Sequence, residues 1–120
     1  MPGMKLVEIA AALPARIVSR EPIPTAEIEC VYAGDRISDL LERASPRTLI
    51  VTNLASRQLL RLADVMDVPA VCFVGGREPE AEAVEAANAR GTALLVSPVG
   101  VFETCGRLYR LLGEPEGGAP

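Results

Sequence analysis

Four short stretches carry residue types that could do chemistry. The block Tyr32-Ala33-Gly34-Asp35-Arg36-Ile37-Ser38-Asp39 holds two carboxylates four residues apart, a spacing that puts both on one face of a helix. Such a pair could hold magnesium against phosphate oxygens, because that ion needs only one or two carboxylates. Asp35 is equally a natural helix N-cap, and capping preference favours that role by about two to one. Thr52-Asn53, just before Ser56, offers an amide and hydroxyls to a polar ligand or, equally, to a turn. Gly75-Gly76-Arg77 opens the way for backbone to approach an anion with Arg77 as counter-charge, although a tight strand-to-helix turn explains the glycines as well. Ser97 and Thr104 flank the start of the last helix, where Thr104 is expected on the helix surface. The candidate ligand contacts are Asp35, Ser38, Asn53, Gly75, Gly76 and Arg77. No catalytic residue, metal ligand or cofactor is assigned.

The composition removes whole classes of chemistry. The chain has no histidine, so Ser-His-Asp and Cys-His catalysis and histidine metal ligation are excluded. Its single lysine is Lys5, in the first predicted helix, which excludes a phosphate-loop lysine and argues against a Schiff base. Neither GxxxxGK[ST] nor GxGxxG occurs. The three cysteines show no paired spacing and suit a reducing cytoplasm. Cys72 is expected mid-strand in the core, and Cys105 on the apolar stripe of the last helix. Cys30 shares an alternating strand with Ile28 and Tyr32, which is the pattern of a buried face.

The elements that must position these residues are legible from apolar runs. Residues 48–55, 70–77 and 93–98 each begin as a continuous apolar run and end in small or polar residues. A strand apolar on both faces must be covered on both sides, which argues for a parallel sheet in an α/β domain. Ligands in such folds bind where strand carboxyl ends meet helix N-termini. The fold expected is therefore three-layer α/β: a mostly parallel four-stranded sheet (near 28–33, 48–52, 70–74 and 93–96) flanked by helices. A small N-terminal α/β element, with a helix over Met4–Leu13 and a short strand at Ala15–Val18, precedes it. Glu21–Pro24 reads as a loop. Asp35 opens a helix with Ile37, Leu40, Leu41 and Ala44 in one stripe. Ser56 caps the next helix, to about Met66. An Ala-rich helix spans Glu80–Arg90 and ends at Gly91. The closing helix, Gly100–Leu112, carries Val101, Phe102, Cys105, Leu108, Tyr109 and Leu112 as one stripe.

Length and charge bound the rest. The chain has 120 residues, which is one domain; residues 1–112 form it, and 113–120, rich in Gly, Pro and Glu, read as a disordered tail. Apolar residues are 49% and aromatics 3%, so the core is aliphatic. A net charge of −4 argues against nucleic acid as a partner. No apolar run approaches a membrane span and no signal peptide is visible, so the expected location is the cytoplasm.

The order of these segments resembles a known family. Tyr32…Asp35…Ser38-Asp39-Leu40-Leu41, Thr52-Asn53, Val68-Pro69-Ala70 and Phe102-Glu103-Thr104 with Gly106-Arg107-Leu108 are similar to stand-alone DRTGG-domain proteins over about residues 4–112. The eponymous Asp-Arg-Thr-Gly-Gly string is absent; Asn53-Leu54-Ala55-Ser56-Arg57 stands in its place. The resemblance implies the fold of the N-terminal domain of HPr kinase/phosphorylase, found also within phosphotransacetylases and CBS-domain pyrophosphatases. It implies a homodimer and a regulatory role without catalysis, sensing a small phosphorylated or adenine-type (nucleotide) ligand. The serine-kinase label given to some stand-alone members is rejected here for want of kinase machinery. Two alternatives stand beside this expectation. One is an accessory interaction subunit of a partner enzyme in a metabolic or redox system, using Val99, Val101 and the Ala-rich helix as an apolar patch. The other, less favoured, is a magnesium-dependent phosphohydrolase built on Asp35 and Asp39.

Overall fold

The apolar runs become strands covered on both faces. The computed structural model describes residues 3–19, 25, 27–34, 36–53 and 56–113. The chain order is β1 (Met4–Lys5), α1 (Leu6–Ala12), β2 (Arg16–Ile17), β3 (Glu27–Ile28), β4 (Cys30–Ala33), α2 (Ile37–Arg43), β5 (Thr48–Thr52), α3 (Arg57–Val65), β6 (Ala70–Phe73), α4 (Ala81–Arg90), β7 (Ala93–Val96) and α5 (Val101–Leu112). The main sheet has the order β2-β7-β6-β5-β4, with β4 to β7 mutually parallel and β2 antiparallel at one edge. A separate two-stranded sheet joins β1 to β3. The main sheet thus has five strands rather than the four expected, because the short segment at Arg16–Ile17 pairs with β7.

Alternation along the strands divides the core in two. Leu49 and Val51 of β5, Ala70 and Cys72 of β6, and Ala93 and Leu95 of β7 pack with Leu6, Ile9, Leu108 and Leu112 of α1 and α5. Ile50, Val71, Phe73 and Leu94, one residue out of step, pack with Leu40, Leu59, Ala63, Ala83 and Ala87 of α2, α3 and α4. This is the three-layer α/β arrangement. The three crossovers between parallel strands use α2, α3 and α4, all on one face. That follows from strands laid down in steady succession with one handedness of connection. Ser56 caps α3 by accepting the Leu59 N–H at 3.1 Å, as its hydroxyl suits it to do.

Several local expectations need correction. Met4–Lys5 is strand, and helix begins only at Leu6. The segment 27–33 is two strands, because the Glu29 and Cys30 amides both donate to the Arg47 carbonyl, at 2.9 and 3.3 Å. Two residues against one is the signature of a bulge, which reverses which side chains face which way. Ile28 and Tyr32, of equal parity, therefore enter opposite cores, and Cys30 is exposed rather than buried. In α2 the N-cap position is Arg36, without a side-chain cap bond, and Leu41 is exposed. Asp35, the loop 21–24 and residues 114–120 lie outside the described residues.

Candidate functional site

The carboxyl ends of the parallel strands bring together part of the expected site. Asn53 follows β5 and is exposed, Gly75-Gly76-Arg77 follows β6, and Ser38 sits in the first turn of α2, exposed. The connections after β6 and β7 leave for opposite faces, to α4 and α5. Diverging connections from adjacent strands make the crevice in which open α/β sheets bind ligands. Here the crevice is zipped. The Gly75 amide donates to Val99 C=O at 2.7 Å and the Gly76 amide to Ser97 C=O at 2.8 Å. Both glycines are left-handed, with φ of +70° and +69°, which is why glycine occupies them. Their amides are engaged and cannot also cradle an anion. The turn does not open a helix directly either, since α4 begins only at Ala81. Arg77 is exposed and makes no ion pair with a described residue, whereas neighbouring Arg57 pairs with Glu82 and Arg16 with Glu78.

The loop beneath is anchored by two buried hydroxyls. Ser97 and Thr104 are both fully buried and lie 2.8 Å apart, oxygen to oxygen. Thr104 Oγ1 also lies 3.4 Å from Val99 C=O. The helix-surface expectation for Thr104 is thus wrong: the first turn of α5 points this side chain inward under the loop. Of the two carboxylates considered for a metal, Asp35 lies outside the described residues, and Asp39 accepts a hydrogen bond from Tyr32 Oη at 3.3 Å and faces Arg36 at 3.9 Å.

A second concavity lies away from the carboxyl edge. A groove of about 510 Å³ follows the outer edge of β4, within the size range of small-molecule sites. Val31 and Ala33 contribute from β4, and Cys105, Leu108, Tyr109 and Leu112 from α5. Arg43 and Thr48 border it on the other side. Arg43 makes no ion pair with a described residue, while Arg47 close by is held by Glu29 at 2.5 Å. Among the described residues the strand edge is open as well. Cys30 and Gly34 direct their amides to Arg47 and Val51 of the neighbouring β5 segment. Alternation then turns the N–H and C=O of Val31 and Ala33 away from β5, towards the groove. No described residue pairs with that edge. One signal in the sequence pointed here, the apolar stripe of α5. It is too wide for burial: Leu108 and Leu112 are buried, but Tyr109 is 54% exposed and Phe102 90%.

The thiols differ sharply. Burial pushes the Cys72 thiol up to about 12 from an ordinary 9.0, helped by the neighbouring Cys105 and opposed by a hydrogen bond from the Ser97 backbone. Burial also raises Cys105. Neither is a poised nucleophile. Among the described residues no three Cys, Asp or Glu side chains group to hold a metal, and no helix is long and apolar enough to cross a membrane.

No protein-family model and no curated protein matches the chain. Its fold is shared with a solved structure from Clostridium perfringens, the CBS and DRTGG domains of the regulatory region of a pyrophosphatase complexed with the activator diadenosine tetraphosphate. The TM-score is 0.68 at 17% identity. The match covers 88% of this chain and 46% of that one, so this chain spans just under half its length. The fold is DRTGG-like, in accord with the family resemblance in the sequence.

Proposed function

We propose that this protein is a non-catalytic regulatory module that binds a small phosphorylated or adenine-type ligand. The observation that carries the reading is the groove beside β4, where an apolar wall, a strand edge and an arginine converge, the last two without a partner among the described residues. That combination of apolar lining with few polar groups is what ligand sites look like. The related fold supports it, since the pyrophosphatase region that shares it is regulatory and was captured with a nucleotide activator. The test is thermal unfolding with nucleotides, sugar phosphates and divalent metals. Ligand at 100 times its dissociation constant adds about 2.7 kcal/mol. A panel that shifts nothing overturns the reading.

Arg77, exposed and without an ion pair to a described residue, favours a second seat at the carboxyl edge, with Ser38, Asn53, Gly75 and Gly76 as further contacts and Asp35, three residues before Ser38, completing the set. Ligand there would sit on the zipped loops or part them. Arg77→Ala would abolish the thermal shift if this seat is the right one. Self-association, or docking on a partner enzyme, is the remaining part of the proposal. It is supported by Phe102 and Tyr109, which occupy one stripe of α5 seven residues apart and stand out in a chain with only two phenylalanines and two tyrosines. Exposed aromatic anchors are the residues interfaces favour. Light scattering of the purified chain reads the mass directly, and a monomer that captures no enzyme would remove this part.

A further inference from the structure

We propose that the β4 groove seats the base of an adenine nucleotide edge-on against the strand, with the phosphate on Arg43. This rests on the ligand-binding reading above and assigns its ligand class and its seat. On the open edge, the Val31 carbonyl and the Ala33 N–H face the groove two residues apart, an acceptor followed by a donor on the same side of the strand. Unpaired edges of this kind recruit whatever offers matching groups. A second strand would do so, but so does a planar ring with an exocyclic amine next to a bare ring nitrogen. The amine donates to Val31 C=O, and the ring nitrogen accepts from Ala33 N–H. Adenine presents that pair. A 6-oxopurine presents the reverse, an acceptor and a protonated nitrogen, and so leaves both strand groups facing like partners.

The rest of the groove suits the same ligand. Leu108, Leu112 and Cys105 supply an apolar wall for the ring faces, with Tyr109 at its margin. Arg43 stands at the rim with no ion pair to a described residue. Its charge complements a phosphate attached to the base, and a guanidinium binds phosphate oxygens in a fork. The volume of about 510 Å³ accommodates a mononucleotide within the usual range for such sites.

The experiment is calorimetric titration of the full chain with AMP, with IMP and ribose 5-phosphate as comparators. AMP should bind, and IMP should bind at least about tenfold more weakly, the cost of misplacing one charged or buried hydrogen bond. Arg43→Ala should weaken AMP by a similar factor. Ala33→Pro removes the donor at an edge position that tolerates proline and should weaken AMP but not ribose 5-phosphate. Should that variant not fold, the amide resonances of Val31 and Ala33 in the native chain give the same answer, because both must shift on AMP addition. Equal affinity for AMP and IMP overturns the proposal. So does AMP binding that Arg77→Ala abolishes and Arg43→Ala leaves intact, which would keep the regulatory reading and move the ligand to the carboxyl edge. No binding by any nucleotide or phosphate would remove both. A dimer that Tyr109→Ala dissociates, with no response to AMP, would make the groove a face between two copies and overturn the proposal too.

Discussion

Removing both hydroxyls of the Ser97–Thr104 pair should cost less than the sum of removing each one alone. Both side chains are fully buried, and their oxygens lie 2.8 Å apart. Thr104→Val keeps the shape of the side chain and leaves the Ser97 hydroxyl without its partner in a water-free site. An unsatisfied buried hydroxyl costs about 1–3 kcal/mol. Ser97→Ala is milder, because Thr104 retains Val99 C=O at 3.4 Å, and about 1 kcal/mol is expected. The double variant has nothing left unpaired, so its cost should fall short of the sum of the two by about 1–2 kcal/mol. Urea unfolding measures this from the midpoint at constant slope. For a domain of this size the Thr104→Val loss corresponds to roughly 4–12 °C in Tm. Costs that simply add, within about 0.5 kcal/mol, would refute the view that the hydroxyls act as a unit. The outcome reaches the site, since the carbonyls of Ser97 and Val99 receive the Gly76 and Gly75 amides.

Three further outcomes are expected. Cys72 binds its proton more tightly folded than unfolded, so its contribution to stability is fully present below pH 9 and is lost as pH rises through about 12. In that window unfolding titrations should lose about 1.4 kcal/mol per pH unit, a component that Cys72→Ala removes. Alkylation followed by mass spectrometry should label Cys30 first and Cys72 last, in the order of their exposure; equal rates would contradict the bulge at Glu29. Phe102→Ser should leave stability within about 0.5 kcal/mol, because the ring is 90% exposed, while lowering any self-association seen by light scattering.

What could be read from the sequence, and what could not, divides along physical lines. The strands at Thr48–Thr52, Ala70–Phe73 and Ala93–Val96 were legible because both faces are buried and every position is apolar or small. Ser56 as a cap and Gly91 as a helix stop were legible because each is a local choice of backbone geometry. Cys30 misled because one bulge at Glu29 inverts the parity that alternation relies on. Thr104 misled because a polar residue in a helix reads as surface until its partner, seven residues back, is known. The groove was only half legible, through the α5 stripe, for a further reason. Whether β4 is an edge or an interior strand depends on what pairs beside it, and no residue within 30–33 states that.

The topology itself accounts for where the open concavity lies. With α2, α3 and α4 all on one face, the adjacent parallel strands whose connections diverge are, among the described residues, β6 and β7. That crevice is where the sequence pattern pointed, and the Gly75 and Gly76 amides close it onto the loop before α5. The same loop starts α5 on the opposite face, where the helix reaches β4, and its outer stripe overhangs the strand edge. Closing the crevice and walling the groove are therefore done by one segment, 97–112. A ligand that parted the Gly75–Val99 and Gly76–Ser97 bonds would shift the helix that lines the groove, and one seated in the groove would hold those bonds shut. Ligands at the two candidate seats are therefore expected to compete through α5. Adding inorganic phosphate should weaken AMP binding in the native chain, and Arg77→Ala should remove the part of that antagonism that acts from the carboxyl edge, leaving only direct competition at Arg43. Antagonism that persists there unchanged would mean phosphate competes directly at Arg43, and that the coupling through α5 is not real.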